Sequence, residues 1–343
     1  MHMADSLSQR ARYQQYLTKI EGITVHFFHK RSGRPGAIPL LLSHGWPGSF
    51  LEFIPMINPL ASLSRTPAGK PVSFDVIVPS LPGFAFSSAP PANWTLDDTA
   101  RIFNTLMTNV LGYKIYAAHG TDFGNNIAYS LYDNYNKTVR AVHLLGVPFA
   151  PLSPAAMAEQ NITLTPEEQI QENLTLELIA TGLGYSVEQS TKVREQVLLM
   201  CLHTQTLLYA KFLDSRTPLD LRFTTILSDN CLGSGRNILN VSGADFWMMS
   251  RLTSLKGSDP RAGRAPSILT HNKILLSVSL YYLTKSFVSS VFIYPQNSNG
   301  FKVNYTKART DAPMLFSSFK YSRAFWGKNV ISRVGNLVTY NCE

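Results

Sequence analysis

Apolar positions in the first half of the chain switch between two periods. Glu21 to His29 (EGITVHFFH) alternates apolar and polar residues, which predicts a strand. Ile38 to Ser43 (IPLLLS) is a short apolar run stopped by His44-Gly45, as in a buried strand, and Phe74 to Pro79 (FDVIVP) repeats it. Thr95 then offers a helix N-cap with Asp98 three residues on. Ala100, Phe103, Leu106, Met107 and Val110 follow at helical spacing, and Gly112 stops the run. Lys114 to Ala118 reads as a strand, Gly124 to Asn136 as a helix and Val139 to Val147 as a further strand. Strands separated by helices imply βαβ units, so the expected class is α/β: a mostly parallel sheet with helices on both faces.

The second half is less regular. Pro151 to Tyr185 is helical in pattern, with Pro166-Glu-Glu as a first turn. From about Val193 to Leu269, Ser, Gly and Arg clusters break the periodicity. It returns as a helix at Lys273 to Tyr282 and as strands at Ala312 to Phe319 and Asn336 to Tyr340. The expected division is 1–150 for the N-terminal part of a core, 151–295 for a helical lid and 296–343 for the C-terminal part of the core.

Composition narrows the class. The 343 residues are 45% hydrophobic and only 15% charged, enough to bury a sizeable core. The formal net charge is +9, but the 31 Lys and Arg form no run or stripe, so no nucleic-acid groove is expected. Cys201, Cys231 and Cys342 have neither metal-ligand spacing nor an even framework. Met1 to Lys19 is polar, and no apolar run reaches the ~18 residues of a span. The expectation is a soluble, intracellular (cytoplasmic) protein without a metal or organic cofactor. No feature sets an oligomeric state.

The richest stretch is His119-Gly-Thr-Asp-Phe-Gly124. A strand leads in, a helix leads out, and Gly120 and Gly124 flank Asp122 at two residues either side. That is the spacing of a nucleophile elbow, a tight turn that lifts its central side chain above the sheet. With Asp at the centre, the chemistry is displacement at a saturated carbon, giving an alkyl ester. An electrophilic carbon with a leaving group is then required, as in an epoxide or an alkyl halide. A helix N-cap Asp is the alternative use of such a residue. A second motif, His44-Gly-Trp-Pro-Gly48, follows a buried strand one βαβ spacing earlier. In the fold built around such an elbow this loop supplies one backbone N–H of an oxyanion hole, and the residue after the nucleophile supplies the other. These are Trp46 and Phe123.

Taken together, HGWPGSF (44–50), VPSLPGFAFS (78–87), HGTDFG (119–124) and GYSVEQSTK (184–192) resemble the microsomal-type epoxide hydrolases of the α/β-hydrolase superfamily, the fungal members above all. Ser279-Leu-Tyr-Tyr-Leu to Ile293-Tyr-Pro-Gln and Ala312-Pro-Met-Leu-Phe-Ser-Ser-Phe match as well, so the likeness covers about Ile20 to Lys192 and Asn272 to Tyr340. The resemblance implies an epoxide substrate and Asp122 as nucleophile. It also implies Tyr185 and Tyr294 as the lid tyrosines that protonate the epoxide oxygen. A phenol suits that task, being a neutral donor near pH 7. A setting in secondary-metabolite or toxin biosynthesis is implied by the fungal likeness alone.

The chain departs from the family in five ways. Its mechanism uses a late His as base and an acid to orient it. Here the histidines are 2, 26, 29, 44, 119, 143, 203 and 271, and Ser322 stands where the acid aligns. Residues 193–269 do not match the family's lid, a pattern that a shifted frame or mis-spliced exon between matching flanks produces. The N-terminal arm reads as mostly absent, and Ala85 replaces a more usual Gly. These departures keep a non-catalytic relative open as an alternative. So is a haloalkane-type dehalogenase, with Trp46 or Trp94 as halide donor.

Overall fold

The computed structural model describes residues 14–181, 183–192, 271–298, 301–302, 304–319 and 324–342. Its strands are β1 (Gln15–Ile20), β2 (Ile23–Lys30), β3 (Ile38–Ser43), β4 (Ser64–Arg65), β5 (Pro71–Val72), β6 (Phe74–Pro79), β7 (Tyr116–Gly120), β8 (Val139–Leu144), β9 (Pro313–Ser318) and β10 (Asn336–Cys342). The helices are α1 (Ile54–Ala61), α2 (Leu96–Thr105), α3 (Phe123–Asn134), α4 (Pro154–Glu159), α5 (Pro166–Thr181), α6 (Gly184–Thr191), α7 (His271–Leu283), α8 (Phe287–Val291), α9 (Ile293–Gln296) and α10 (Lys328–Ile331).

The main sheet has eight strands in the order β1-β2-β6-β3-β7-β8-β9-β10. β1 pairs with β2, and β2 with β6, in antiparallel fashion, whereas every later neighbour runs parallel. Side-chain alternation along the strands explains why both faces are covered. Leu41 and Ile77 enter the core shared with α2 and α3, while Leu42, Val76 and Val78 enter a second core with Phe50, Phe53 and Ile57.

The order reverses at β3. The chain runs from β3 to β6 on one side and returns to β7 on the other. Open α/β sheets bind ligands at such a switch point, outside the carboxyl ends of the strands. Here those ends lead into His44-Gly45-Trp46 and Thr121-Asp122.

Several expectations need correction. The strand expected from Glu21 is interrupted there. Glu21 and Gly22 have φ of 51° and 82° and turn the chain into a hairpin, so a further strand, β1, precedes it. β1 carries no such pattern because it is a sheet edge whose side chains are mostly exposed, which removes the alternation. β8 stops at Leu144 rather than Val147, and the helical stretch from Pro151 is divided among α4, α5 and α6. The stretch 193–269, including His203, lies outside the described residues, as does Ser322. Ala85 has φ of 48°, a left-handed backbone that explains why Gly is the easier residue there.

Candidate active site

β7 ends at Gly120 and α3 begins at Phe123, leaving two residues to reverse the chain. Asp122 sits in that reversal with φ of 53° and ψ of −126°, a strained conformation for a residue with a Cβ. The flanking glycines are needed for close approach. A Cβ on Gly120 would lie 2.0 Å from the Gly124 carbonyl oxygen, and one on Gly124 would lie 2.0 Å from that of Ser43.

The Asp122 carboxylate does more than cap α3. Its Oδ1 accepts from the Phe123 amide at 2.8 Å and from the Trp46 amide at 3.0 Å. The second donor comes from the loop after β3, so two loops at the switch point converge on one oxygen. A helix cap alone would not recruit an amide from another strand's end. Gly45 permits the approach, since a Cβ there would stand 2.3 Å from Oδ1.

Tyr294, on α9, is buried against both amide donors. Its ring meets the Trp46 and Phe123 rings edge-on, at centroid distances of 5.6 and 4.9 Å. Tyr185 lies in α6, which packs on α9, and its side chain is outside what the structure describes. Two further side chains join this neighbourhood. Tyr281 donates to the Gly48 carbonyl at 2.5 Å, and Ser290 accepts from the Trp46 indole N–H at 3.2 Å. Burial, and then the Asp122 carboxylate, hold the Tyr281 phenol well above its usual range, so it stays protonated. Both residues sit in the stretch whose likeness pointed to Tyr294. Nothing in the periodicity separates them from ordinary core positions.

Both indole N–H groups considered as halide donors are engaged elsewhere: Trp46 on Ser290, and Trp94 on Thr99 Oγ1 at 2.9 Å. Neither nearby histidine is arranged as a base. His44 is fully buried, with Nε2 accepting from the Leu81 amide and Nδ1 bonded to the Gly45 carbonyl. His119 turns toward Phe53, stacks on His143 at 4.8 Å and bonds the His143 carbonyl through Nδ1. Burial, reinforced by His143, lowers its pKa to about 4. His271 opens α7, and its side chain is outside the described residues.

A cavity of about 440 Å³ lies elsewhere, lined by residues such as Thr165, Glu168, Lys328, Tyr340 and Cys342. It does not include Asp122 or the residues around it. Among the described residues, no group of three or more His, Cys, Asp or Glu gathers as a metal site. No helix among them is long and apolar enough to cross a membrane.

A switch-point elbow with two converging amides is the arrangement of the α/β-hydrolase fold, and residues 38–166 match the family model of that fold. Residues 5–53 match the model for the epoxide hydrolase N terminus, so the likeness begins earlier than the motifs indicated, and part of the N-terminal arm is present. The chain is 30% identical over 310 residues to a Stigmatella aurantiaca relative named as a candidate epoxide hydrolase, covering 90% of this chain and 59% of that one. It is 27% identical over 317 residues to rabbit epoxide hydrolase 1, covering 90% of this chain and 64% of that one. The structure of Aspergillus niger epoxide hydrolase superposes with a TM-score of 0.71 at 24% identity, over 99% of this chain and 74% of that one, which establishes the fold. The chain therefore has the α/β-hydrolase fold, and within that fold it resembles the epoxide hydrolases. It spans less than two thirds of the length of these two curated relatives.

Proposed function

We propose that this chain opens epoxides by attack of the Asp122 carboxylate on a ring carbon. With Oδ1 gripped by two amides, Oδ2 forms the new C–O bond and the ring C–O bond breaks. The ring oxygen then takes a proton from Tyr294 or Tyr185, in a lid formed by 151–295 over a core of 1–150 and 296–343. The product of this step is an alkyl ester of Asp122. Trp46 and Phe123 serve the next step by stabilising the oxyanion as the ester is cleaved.

One observation carries the reading: Asp122 is held in a strained elbow with amides from two loops on the same oxygen. The similarity to epoxide hydrolases favours an epoxide as the electrophile, and the engagement of both indole N–H groups weighs against a halide. A place in secondary-metabolite or toxin biosynthesis rests on fungal likeness alone.

The test is covalent labelling with a reactive aryl epoxide, read by intact mass. The parent chain should gain one substrate mass at Asp122, and Asp122→Asn should gain none. Equal labelling of both would place the reaction at another residue. A folded parent that never labels would favour the non-catalytic relative.

A further inference from the structure

The loop from His44 to Gly48 has to present one amide, that of Trp46, to one oxygen of Asp122. With two Gly and a Pro in five residues, its composition does not fix it. The hydrogen bonds show what does. The peptide unit that carries the Trp46 N–H also carries the Gly45 carbonyl. That carbonyl accepts from the Gly48 amide at 2.9 Å and bonds His44 Nδ1 at 3.0 Å. Gly48 is in turn held through its own carbonyl by the Tyr281 hydroxyl at 2.5 Å. On the other side, the Trp46 indole donates to Ser290 Oγ at 3.2 Å, and Ser290 is fixed by donating to the Phe287 carbonyl at 2.6 Å. Tyr281 and Ser290 come from α7 and α8, more than two hundred residues along the chain from the loop.

We infer that Tyr281 and Ser290 are positioning residues that clamp the Trp46 peptide plane from two sides and keep its N–H on the Asp122 carboxylate. The inference rests on the reading of Asp122 as nucleophile. Both residues are buried, at 1% and 0% exposure, so the bonds act away from competing water. Neither touches the epoxide in this scheme. The clamp matters most when charge returns to the carbonyl oxygen. Alkylation turns the carboxylate into an ester, whereas cleavage of that ester passes through a tetrahedral oxyanion that needs the aligned amide.

The experiment uses the full chain labelled with an aryl epoxide, then treated with hydroxylamine. Hydroxylamine adds to the ester carbonyl, expels the glycol and leaves Asp122 as a hydroxamate. Intact mass separates parent, adduct and hydroxamate. Tyr281→Phe and Ser290→Ala should label within a few-fold of the parental rate, and release should slow by about tenfold or more. Ser290→Thr, which keeps the hydroxyl, should restore release. Parental release in folded Tyr281→Phe and Ser290→Ala would overturn the inference. Should Tyr281→Phe fail to fold, the Ser290 pair decides.

A second readout needs no reaction. Exchange of the Trp46 amide should be about tenfold faster in either variant, and unchanged exchange would overturn the clamp. A parent that shows no adduct would instead defeat the nucleophile reading, leaving amide exchange to judge the clamp.

Discussion

The Trp46 amide and the Asp122 carboxylate meet at 3.0 Å although 76 positions separate them in sequence. Gly45 is what lets them meet, because its missing side chain leaves the space into which the carboxylate folds. Gly45→Ala should therefore displace Asp122 while leaving the sheet intact. We expect labelling by an aryl epoxide to slow by ~100-fold, as a misplaced reacting group does, with the far-UV circular dichroism unchanged. Parental labelling by a folded Gly45→Ala would mean that Asp122 reacts from a different pose.

Much of this arrangement is legible in the sequence. The elbow spacing around Asp122 and the loop around Trp46 are local signals, since tight turns demand glycine at fixed offsets. β3 and β6 are readable to the residue because both are interior strands of the sheet, each an apolar run that ends in buried residues. The pairing of Tyr281 with Gly48 and of Ser290 with Trp46 was not readable. A buried Tyr or Ser on a helix leaves the same pattern whether its hydroxyl holds a functional loop or merely fills space. β1 is illegible for the opposite reason: an edge strand with exposed side chains has no alternation to read.

α5 starts with a double use of one carboxylate. Glu168 Oε2 accepts from the Thr165 amide and Oε1 from the Lys328 amide, both at 3.0 Å, and Thr165 Oγ1 accepts from the Glu168 amide at 3.2 Å. This capping box therefore also ties α5 to the start of α10. Glu168→Ala should cost about 2–3 kcal/mol, because a charged acceptor is lost and two amides are stranded. Glu168→Gln should recover part, since only one amide oxygen remains to accept. Chemical denaturation measures both, and a cost below about 0.5 kcal/mol for Glu168→Ala would show that water replaces the carboxylate.

Buried histidines set a pH dependence with a definite sign. Burial lowers His119 and His26 from 6.5 to about 4. The unfolded chain therefore binds more protons than the folded one between those values. Their neutral forms favour folding above about pH 6.5, and this contribution is lost as pH falls toward 4. The loss is on the order of 3 kcal/mol for each fully shifted histidine. The urea midpoint should fall over that window. His119→Gln keeps a donor for the His143 carbonyl and removes the titration, so its midpoint should fall less between pH 7 and 5. An identical fall in both proteins would assign the effect to other groups.

The remaining prediction follows from the contacts of His44 and His119. Ring opening needs a carboxylate, a proton donor and an aligned carbon, and Asp122 with Tyr294 and Tyr185 provides for these in the proposed scheme. Cleavage of the ester needs an activated water as well. His44 is bonded between Leu81 and Gly45, and His119 is stacked on His143 and faces Phe53. Either would have to break these contacts to reach water beside Asp122, and His119 would also have to gain a proton from a site where burial disfavours the charged form. General-base catalysis is worth roughly 10²–10⁴-fold, so the 343-residue chain should label in one fast step and then turn over very slowly. Intact mass should show parent plus one substrate accumulating toward one equivalent. Tyr294→Phe should slow the labelling step by about tenfold or more without altering the final yield, since it removes one of two proton donors. Steady multiple turnover with no trapped adduct would contradict this reading. His44→Gln and His119→Gln would then be the first variants to make, because His44 lies in the loop that carries Trp46 and His119 in the strand that leads to Asp122.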